Sequence, residues 1–417
     1  MTEPDAGPSR RAALRYWTRL GWINFGGPAG QIALMHRELV EERRWVDERT
    51  FLNGLNFCTL LPGPEAQQLA IYLGWRCHGI AGGVAAGALF VLPSIAVLLA
   101  LSAIYVTWGT LPPVAAALAG VQAAVVAIVV EAVVRIGRRT LRRPAALALA
   151  AAAFLALRIW GIPFPLVVAA ALALGALLSR ALAARGHEAA PPEGAPRTVP
   201  YLRVVAGGVA LWALGFAAAA AGGETARRVY LFFTRAAFVT FGGAYAVLAY
   251  VGQVAVERFG WLSAHQMVDG LALAETTPGP LIMVLQWVGF LAGWNGAAPG
   301  TGGWSLAILC ALLATWATFL PGFVFVFLGA PSIERLAASP RLAGALAGVT
   351  AATVGVILDL AWRFGGTVLW RGGAVDPFGL AIALGALLAL LRFRVAIPWL
   401  VAASALAGLA RLAFGTA

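Results

Sequence analysis

Long apolar runs alternate with short polar interruptions along the whole chain. Runs of about 20 residues, enough to cross a hydrocarbon core, fall near residues 80–107, 112–134, 163–184, 203–221, 305–328, 342–361, 377–391 and 395–412. Weaker or broken stretches lie at 12–35, 51–75 and 144–158 and at their second-half counterparts. The pattern predicts an all-α, polytopic membrane protein with about 10–13 membrane segments, some of which only dip into the bilayer. Gly26-Gly27-Pro28 and Leu61-Pro62-Gly63-Pro64 sit inside apolar stretches. Proline removes a backbone donor and clashes with the preceding turn, and glycine tolerates left-handed geometry, so helix should break at both.

The interruptions recur. Thr18-Arg19, Phe25-Gly26-Gly27, Trp45 and Pro62-Gly63-Pro64 reappear 216 residues later as Thr234-Arg235, Phe241-Gly242-Gly243, Trp261 and Pro278-Gly279-Pro280. Beyond a 12-residue insertion around Trp294 to Trp304 the offset becomes 228, matching Pro93 to Pro321, Ala117 to Val121 with Ala345 to Val349, Glu131 to Asp359, and Arg135 to Arg363. One offset held over so many positions indicates a duplication, the internal symmetry of secondary-transporter folds.

Composition agrees with a life in lipid: 61% of residues are hydrophobic and 12% charged, which excludes a water-soluble globule. The net charge of +12 comes from arginine, with no lysine. In a soluble chain it would suggest nucleic acid; here the arginines cluster in short loops and set topology. The loop from Arg135 to Arg143, with five arginines, and the Pro-rich linker belong on the cytoplasmic side with the N-terminus. This divides the chain into a cytoplasmic tail (1–11), a first transmembrane repeat (12–184), a linker (185–202), a linking helix (203–222) and a second repeat (228–417). The odd crossing between the repeats makes them inverted in topology. A multi-pass protein of the cell (inner) membrane is expected, with no signal peptide in the polar Met1 to Ser9 segment.

Half-helix N-termini at such breaks would point positive dipole ends at an anion from both repeats; proline kinks in structural helices are the plainer alternative. Asn24, Gln31, Asn56, Thr59, Glu65, Gln67 and Gln68 surround the first pair of breaks, and Thr240, Tyr245, Glu275, Thr276, Thr277 and Gln286 the second. Polar groups at that depth are expected to face an interior site, although interhelical hydrogen bonding accounts for some of them. Arg19 and Arg235 flank the breaks and would offer guanidinium forks to an oxyanion, or else snorkel to the interface. Glu65 follows Pro64 at an expected helix start, which favours the carboxylate, whereas Glu275 lies in apolar sequence, which permits protonation. Glu275 is therefore the better proton carrier, with Asp359 and Glu131 next; the latter two also suit simple pairs with Arg363 and Arg135 at i and i+4. The segment from Met35 to Trp45 has the makings of an interfacial amphipathic helix. Cys58, Cys77 and Cys310 are packing residues, the four histidines are scattered, and enzyme signatures are absent. No catalytic residue, metal or cofactor is expected.

The run Phe25-Gly26-Gly27-Pro28, through Gln31, Glu38, Val40-Glu41, Trp45 and Leu61-Pro62-Gly63-Pro64-Glu65-Ala66-Gln67-Gln68-Leu69 to Gly74, resembles the first-half signature of the chromate ion transporter family. Ala274-Glu275-Thr276-Thr277-Pro278-Gly279-Pro280, with Gln286 and Gly289, resembles that of its long, two-domain members. The resemblance implies export of chromate, a tetrahedral dianion similar in shape and charge to sulfate, driven by the proton gradient. Substrate-binding positions would then be Arg19, Asn24, Phe25, Gly26, Gly27, Pro28, Gln31, Pro62, Gly63, Pro64, Glu65, Gln67 and Gln68. In the second half they would be Arg235, Thr240, Phe241, Gly242, Gly243, Thr276, Thr277, Pro278, Gly279, Pro280 and Gln286. The family often has a cysteine after the second-half proline, whereas Gly322 follows Pro321 here. Chromate or sulfate is the implied ligand and lipid the surrounding medium; a homodimer is an open assembly, and no nucleic acid is expected. A sulfate carrier by the same route and a passive channel or membrane scaffold are the rival readings, which flux against a gradient would separate.

Overall fold

A computed structural model describes residues 8–25, 27–182, 199–239, 241, 243–296, 303–332, 340–371 and 373–414. Gly26, Thr240, Gly242, most of the linker and the basic tip around Glu334 and Arg335 lie outside the described residues. The chain is almost entirely helical. Its helices are α1 (Arg10–Ile23), α2 (Gly27–His36), α3 (Glu48–Leu60), α4 (Glu65–Trp108), α5 (Pro112–Thr140), α6 (Pro144–Arg158), α7 (Phe164–Leu177) and α8 (Ser179–Leu182). After the linker come α9 (Tyr201–Ala221), α10 (Gly223–Val239), α11 (Ala244–Gln253), α12 (Ala264–Thr276), α13 (Val284–Asn295) and α14 (Trp304–Gly329). The chain ends with α15 (Pro340–Leu369), α16 (Pro377–Leu388) and α17 (Ile397–Ala413). Among the described residues, five helices are long and apolar enough to cross a bilayer.

Helix starts carry their expected chemistry. Ser9 caps α1, Asp47 caps α3, and Ser263 with Gln266 forms a capping box on α12, each supplying acceptors for backbone N–H groups that the first turn leaves unpaired. Proline occupies the first turn of α5, α6, α7, α16 and α17, where its missing donor costs nothing. Small residues set the closest helix contacts: a Cβ on Gly120 would lie 2.0 Å from the Ser404 carbonyl, and one on Gly408 2.0 Å from that of Ala116. Only glycine lets α5 and α17 approach this closely.

Each half opens with two hairpins that enter the molecule and turn back. α1 runs inward from the face bearing the N-terminus, which we call proximal, and α2 returns beside it. Arg19 reaches Glu38 at 3.6 Å, and the Tyr16 and Trp45 rings lie 5.5 Å apart. α3 then enters and the first arm of α4 leaves, ending where His78 bonds the Pro8 carbonyl at 2.8 Å. At His78-Gly79, with Gly79 at φ 66°, the axis reverses: Gly74 packs on Gly82, and Ile71 on Gly87. The second arm of α4 runs on to the opposite, distal face at Trp108.

The second half mirrors this from the distal side. Phe232 on α10 packs against Tyr250, Phe259 and Trp261 beyond the α10–α11 turn. α12 and α13 form the next hairpin, closed at its open end by the Asn295 amide donating to the Trp261 carbonyl at 2.8 Å. Tyr105, three residues before the distal end of α4, donates to Asp269 on α12 at 2.9 Å and stacks edge-on against Trp287. The second-half hairpins therefore open at the distal face and the first-half hairpins at the proximal one. α3 and α12 have 13 residues each, about 20 Å, too short for a core of about 30 Å. They are re-entrant arms.

The stretch from Met35 to Trp45 has one buried and one exposed face, with Arg37 and residues 41–44 exposed. Met35, Glu38 and Leu39 are buried, α2 continues into a π-helical segment at Arg37–Glu42, and the half-buried Trp45 packs on Tyr16. The equivalent place in the second half, Val254–Arg258, is also π-helical.

Candidate functional site at the meeting of the broken helices

The described residues of the expected interruptions lie between helices or, at Gly27 and Pro28, open one, with Gly27 at φ 67°, Gly63 at 125°, Gly243 at 94° and Gly279 at 113°. These conformations suit glycine and strain other residues. The first break of the first repeat and the last break of the second meet inside the protein. The Gly279 N–H donates to the Asn24 carbonyl at 3.3 Å. The Gln31 amide donates to both the Asn24 carbonyl (2.8 Å) and the Gly279 carbonyl (2.7 Å). Gly279 is further held by Ser94, whose hydroxyl donates to the Pro278 carbonyl at 2.6 Å.

The second arm of α4 supplies the wall. Pro93 lies inside it, and Gly21 of α1 packs against the Leu89 carbonyl, the one whose helical donor the proline removes. The Asn24 amide donates to the Phe90 carbonyl at 3.3 Å and the Gln286 amide to the Ile95 carbonyl at 2.9 Å. Thr315 of α14 donates back to Gln286 at 3.1 Å. By pseudo-symmetry Ser94 corresponds to Gly322, and Gly322 lies against Gln67 and Gln68 of the first-half break. Each long helix therefore packs on the turn of the opposite repeat.

Several polar atoms of the two first-half breaks are buried without a partner: Asn24 Oδ1 and Gln31 Oε1 at the contact with Gly279, and Gln68 Oε1 and both amide atoms of Gln67 at the Pro62–Pro64 turn beside Gly322. Gln68 staples its own turn by donating to the Pro62 carbonyl at 2.7 Å. Gln67, fully buried, stands in the first turn of α4, whose leading N–H groups have no intrahelical acceptor. Buried polar groups are rarely left unpaired, so this spot suits an occupant that both accepts and donates hydrogen bonds.

A second cluster surrounds Glu275. Tyr245 on α11 donates to its carboxyl at 2.5 Å, and both are buried. Arg135 and Glu131 on α5, hydrogen-bonded to each other at 3.1 Å, lie close enough to act on Glu275 and Tyr245 electrostatically. The Glu131–Arg135 pair thus sits on α5, the helix packed beside the α12 arm that carries Glu275, and Asp359 lies elsewhere. Asp359 pairs with Arg363 at 2.7 Å, and Arg363 also pairs with Glu257. Arg363 and Glu257 line an open distal cleft of about 320 Å³ with Arg158 and Gln253.

The remaining expected site residues divide. Thr277, Pro278 and Pro280 are buried at the second-half break, Pro64 is buried and Pro62, Glu65, Pro28 and Thr276 are half-buried. Phe25 is 42% exposed, Asn56 and Thr59 face outward, and Phe241 packs into a separate apolar cluster. Arg19 is bound with Arg43 to the buried Glu38 at the proximal face, and Arg235 is exposed on α10. Helix phase explains the outward pair: α3 buries Phe51, Gly54, Phe57 and Cys58, and Asn56 and Thr59 occupy the other face. Ser94 and Asp269 were missed, since a lone serine in an apolar helix and an aspartate between breaks carry no motif.

No solved structure matches this chain. It is 31% identical over 409 residues to a chromate transport protein of Cupriavidus metallidurans, covering 96% of this chain and 92% of that one. A chromate transport protein of Pseudomonas aeruginosa is 35% identical over 364 residues, 82% of this chain and 79% of the relative. An uncharacterized transporter of Bacillus subtilis is 30% identical over 183 residues, 43% of this chain but 94% of its own length, as a single-repeat relative would be. The chromate transporter family matches residues 12–176 and again 227–409, and with both halves matched the chain belongs to the chromate transporter family.

Proposed function

We propose that the protein exports chromate across the cell membrane by proton-coupled alternating access, with the oxyanion bound where the re-entrant turns of the two repeats meet. The observation that carries this is the seam itself. Gln31 and Asn24 of the first repeat grip Gly279 of the second, while their own amide oxygens, and both amide atoms of Gln67 at the Pro62–Pro64 turn, are buried without a partner. Helix N-termini at this depth offer unpaired N–H groups to an anion, and the Gln67 amide adds a donor. Its oxygen takes a water or the hydroxyl of a protonated oxyanion.

In this reading the repeats lie inverted in the membrane, with the proximal face cytoplasmic. The Arg19 and Arg43 pair at that face draws anions in, and the Arg158 and Arg363 cleft receives them on the distal side. Glu275 carries the coupling proton, held by Tyr245 and sensed by the Arg135–Glu131 pair. The opposed openings of the hairpins are what alternating access by rocking of repeats requires.

Inverted vesicles loaded at acid pH and given radiolabelled chromate or sulfate in the external medium test this. Uptake of chromate that rises with the imposed pH gradient and collapses with a protonophore is expected. Sulfate uptake in preference to chromate would assign the other oxyanion, and gradient-independent equilibration would assign a channel.

A further inference from the structure

Asp269 is a buried carboxylate, 3% exposed, on the same re-entrant arm as Glu275 but toward its distal end. Both of its oxygens are engaged. Gln122 of α5 donates to one at 2.8 Å and Tyr105 of α4 to the other at 2.9 Å. The Gln122 oxygen in turn contacts a ring nitrogen of His265 at 3.2 Å, one turn nearer the distal opening of α12. Of the other helices packed on α12, α13 brings the apolar Trp287, while the charged groups of α15 and α17 have partners of their own, Arg363 with Asp359 and Glu257 and Arg411 with Asp376. Asp269 therefore has polar support, and among the described residues no arginine is bonded to it.

The repeat sharpens the point. At the 216-residue offset Asp269 corresponds to Asn53 and Glu275 to Thr59. The first-half arm carries neutral groups at both places, and the second-half arm carries acids at both. A carboxylate kept only to fill a hydrogen-bonding role would be served as well by the amide that the other repeat has, and burying a charge without a paired cation is costly.

We propose that Asp269 is a second proton-binding site of the transport cycle, loaded by water from the distal face, where His265 stands, and lying between that face and Glu275 on α12. This inference rests on the proton-coupled reading above. The surroundings tolerate both protonation states. As a carboxylate Asp269 accepts from two donors. When a proton arrives from distal water, the new O–H donates to Tyr105, whose hydroxyl both donates and accepts, and the packing need not change. On release the proton passes inward and Tyr105 donates again. Tyr105 and Gln122 are positioning residues for this exchange.

The test uses the full-length protein in proteoliposomes with radiolabelled chromate, comparing pH-gradient-driven accumulation with exchange against unlabelled chromate. Asp269→Asn is nearly isosteric, and a rotated Gln122 amide satisfies it. It should lose at least tenfold in gradient-driven accumulation and keep exchange within about twofold, and Asp269→Glu should recover part of the coupling. Tyr105→Phe should move the pH midpoint of accumulation while leaving exchange intact, which a purely structural tyrosine would not do; it also serves if Asp269→Asn fails to fold. Unchanged gradient dependence in Asp269→Asn, or an unmoved midpoint in Tyr105→Phe, overturns the proposal. Equal loss of exchange and accumulation in folded Asp269→Asn assigns the residue to the binding site instead and also overturns it. A wild-type protein that ignores the pH gradient removes the proton-coupled reading itself and this site with it.

Discussion

Gln31 and Gly279 are 248 residues apart in sequence and share a 2.7 Å hydrogen bond. The same Gln31 nitrogen also reaches the Asn24 carbonyl at 2.8 Å, so one amide ties the first break of one repeat to the last break of the other. Carbonyls released by a helix break need donors at membrane depth. Gln31 supplies them across the repeat boundary.

Replacing Gln31 with Met keeps its length and removes both donors. The two buried carbonyls then lose a partner, which costs about 1–3 kcal/mol. A lower melting temperature in detergent, together with weakened chromate binding, is the expected result; unchanged melting would mean the seam contributes nothing to stability.

Gly279 and Gly63 both have positive φ, at 113° and 125°, but their surroundings differ. A Cβ on Gly279 would fall 1.6 Å from the Ser94 hydroxyl, while one on Gly63 would fall 2.6 Å from the end of the flexible Gln68 side chain. Gly279→Ala should therefore be the more damaging change. Adding Ser94→Gly should recover only part of the loss, because left-handed strain of about 1–2 kcal/mol remains. Yield of monodisperse protein ranks the variants.

Glu275→Gln retains an acceptor for the Tyr245 hydroxyl and removes the exchangeable proton. Chromate exchange should persist within about threefold, and accumulation under a pH gradient should vanish. Gradient-driven uptake at the wild-type rate would move coupling to Asp269 alone.

Sidedness is checked by single cysteines at Arg139 and Ala374, exposed at the proximal end of α5 and the distal hairpin after α15, in a variant lacking Cys58, Cys77 and Cys310. A membrane-impermeant thiol reagent should modify Ala374→Cys in intact cells and Arg139→Cys only in inverted vesicles. Modification of both from one side would place the two ends on the same face.

Asp47 anchors the first-half hairpin at the proximal face. Partial burial opposes its ionisation, but the Thr50 hydroxyl at 2.7 Å and backbone N–H at 2.8 Å outweigh this and hold it below the usual carboxylate range. A carboxylate lowered by folding stabilises the fold at pH above its ordinary value of about 3.9, and that contribution disappears as pH falls through the lower folded value. Melting temperature followed from pH 6 to pH 2 should drop less steeply in Asp47→Ala, which starts about 1 kcal/mol lower through loss of the cap.

The chain's own pattern determined the helical membrane class, the duplication and the location of the breaks, because hydrophobic run length, Pro-Gly geometry and a constant offset are local or periodic properties. Glu275 and Gln31 were also legible as polar groups in apolar sequence. Only the tertiary structure decided which breaks meet, since the Asn24 and Gln31 contacts with Gly279 join distant segments that no periodicity links. It also decided the company of each charge. Arg19 was drawn to Glu38 because α2 folds back along α1, the Glu131–Arg135 pair came to lie on a helix beside the Glu275 arm because α5 packs against α12, and Asn56 and Thr59 faced outward through helix phase. Asp269 acquired its role from Tyr105 and Gln122, two residues far away in sequence, so its importance is a property of packing that the linear order conceals.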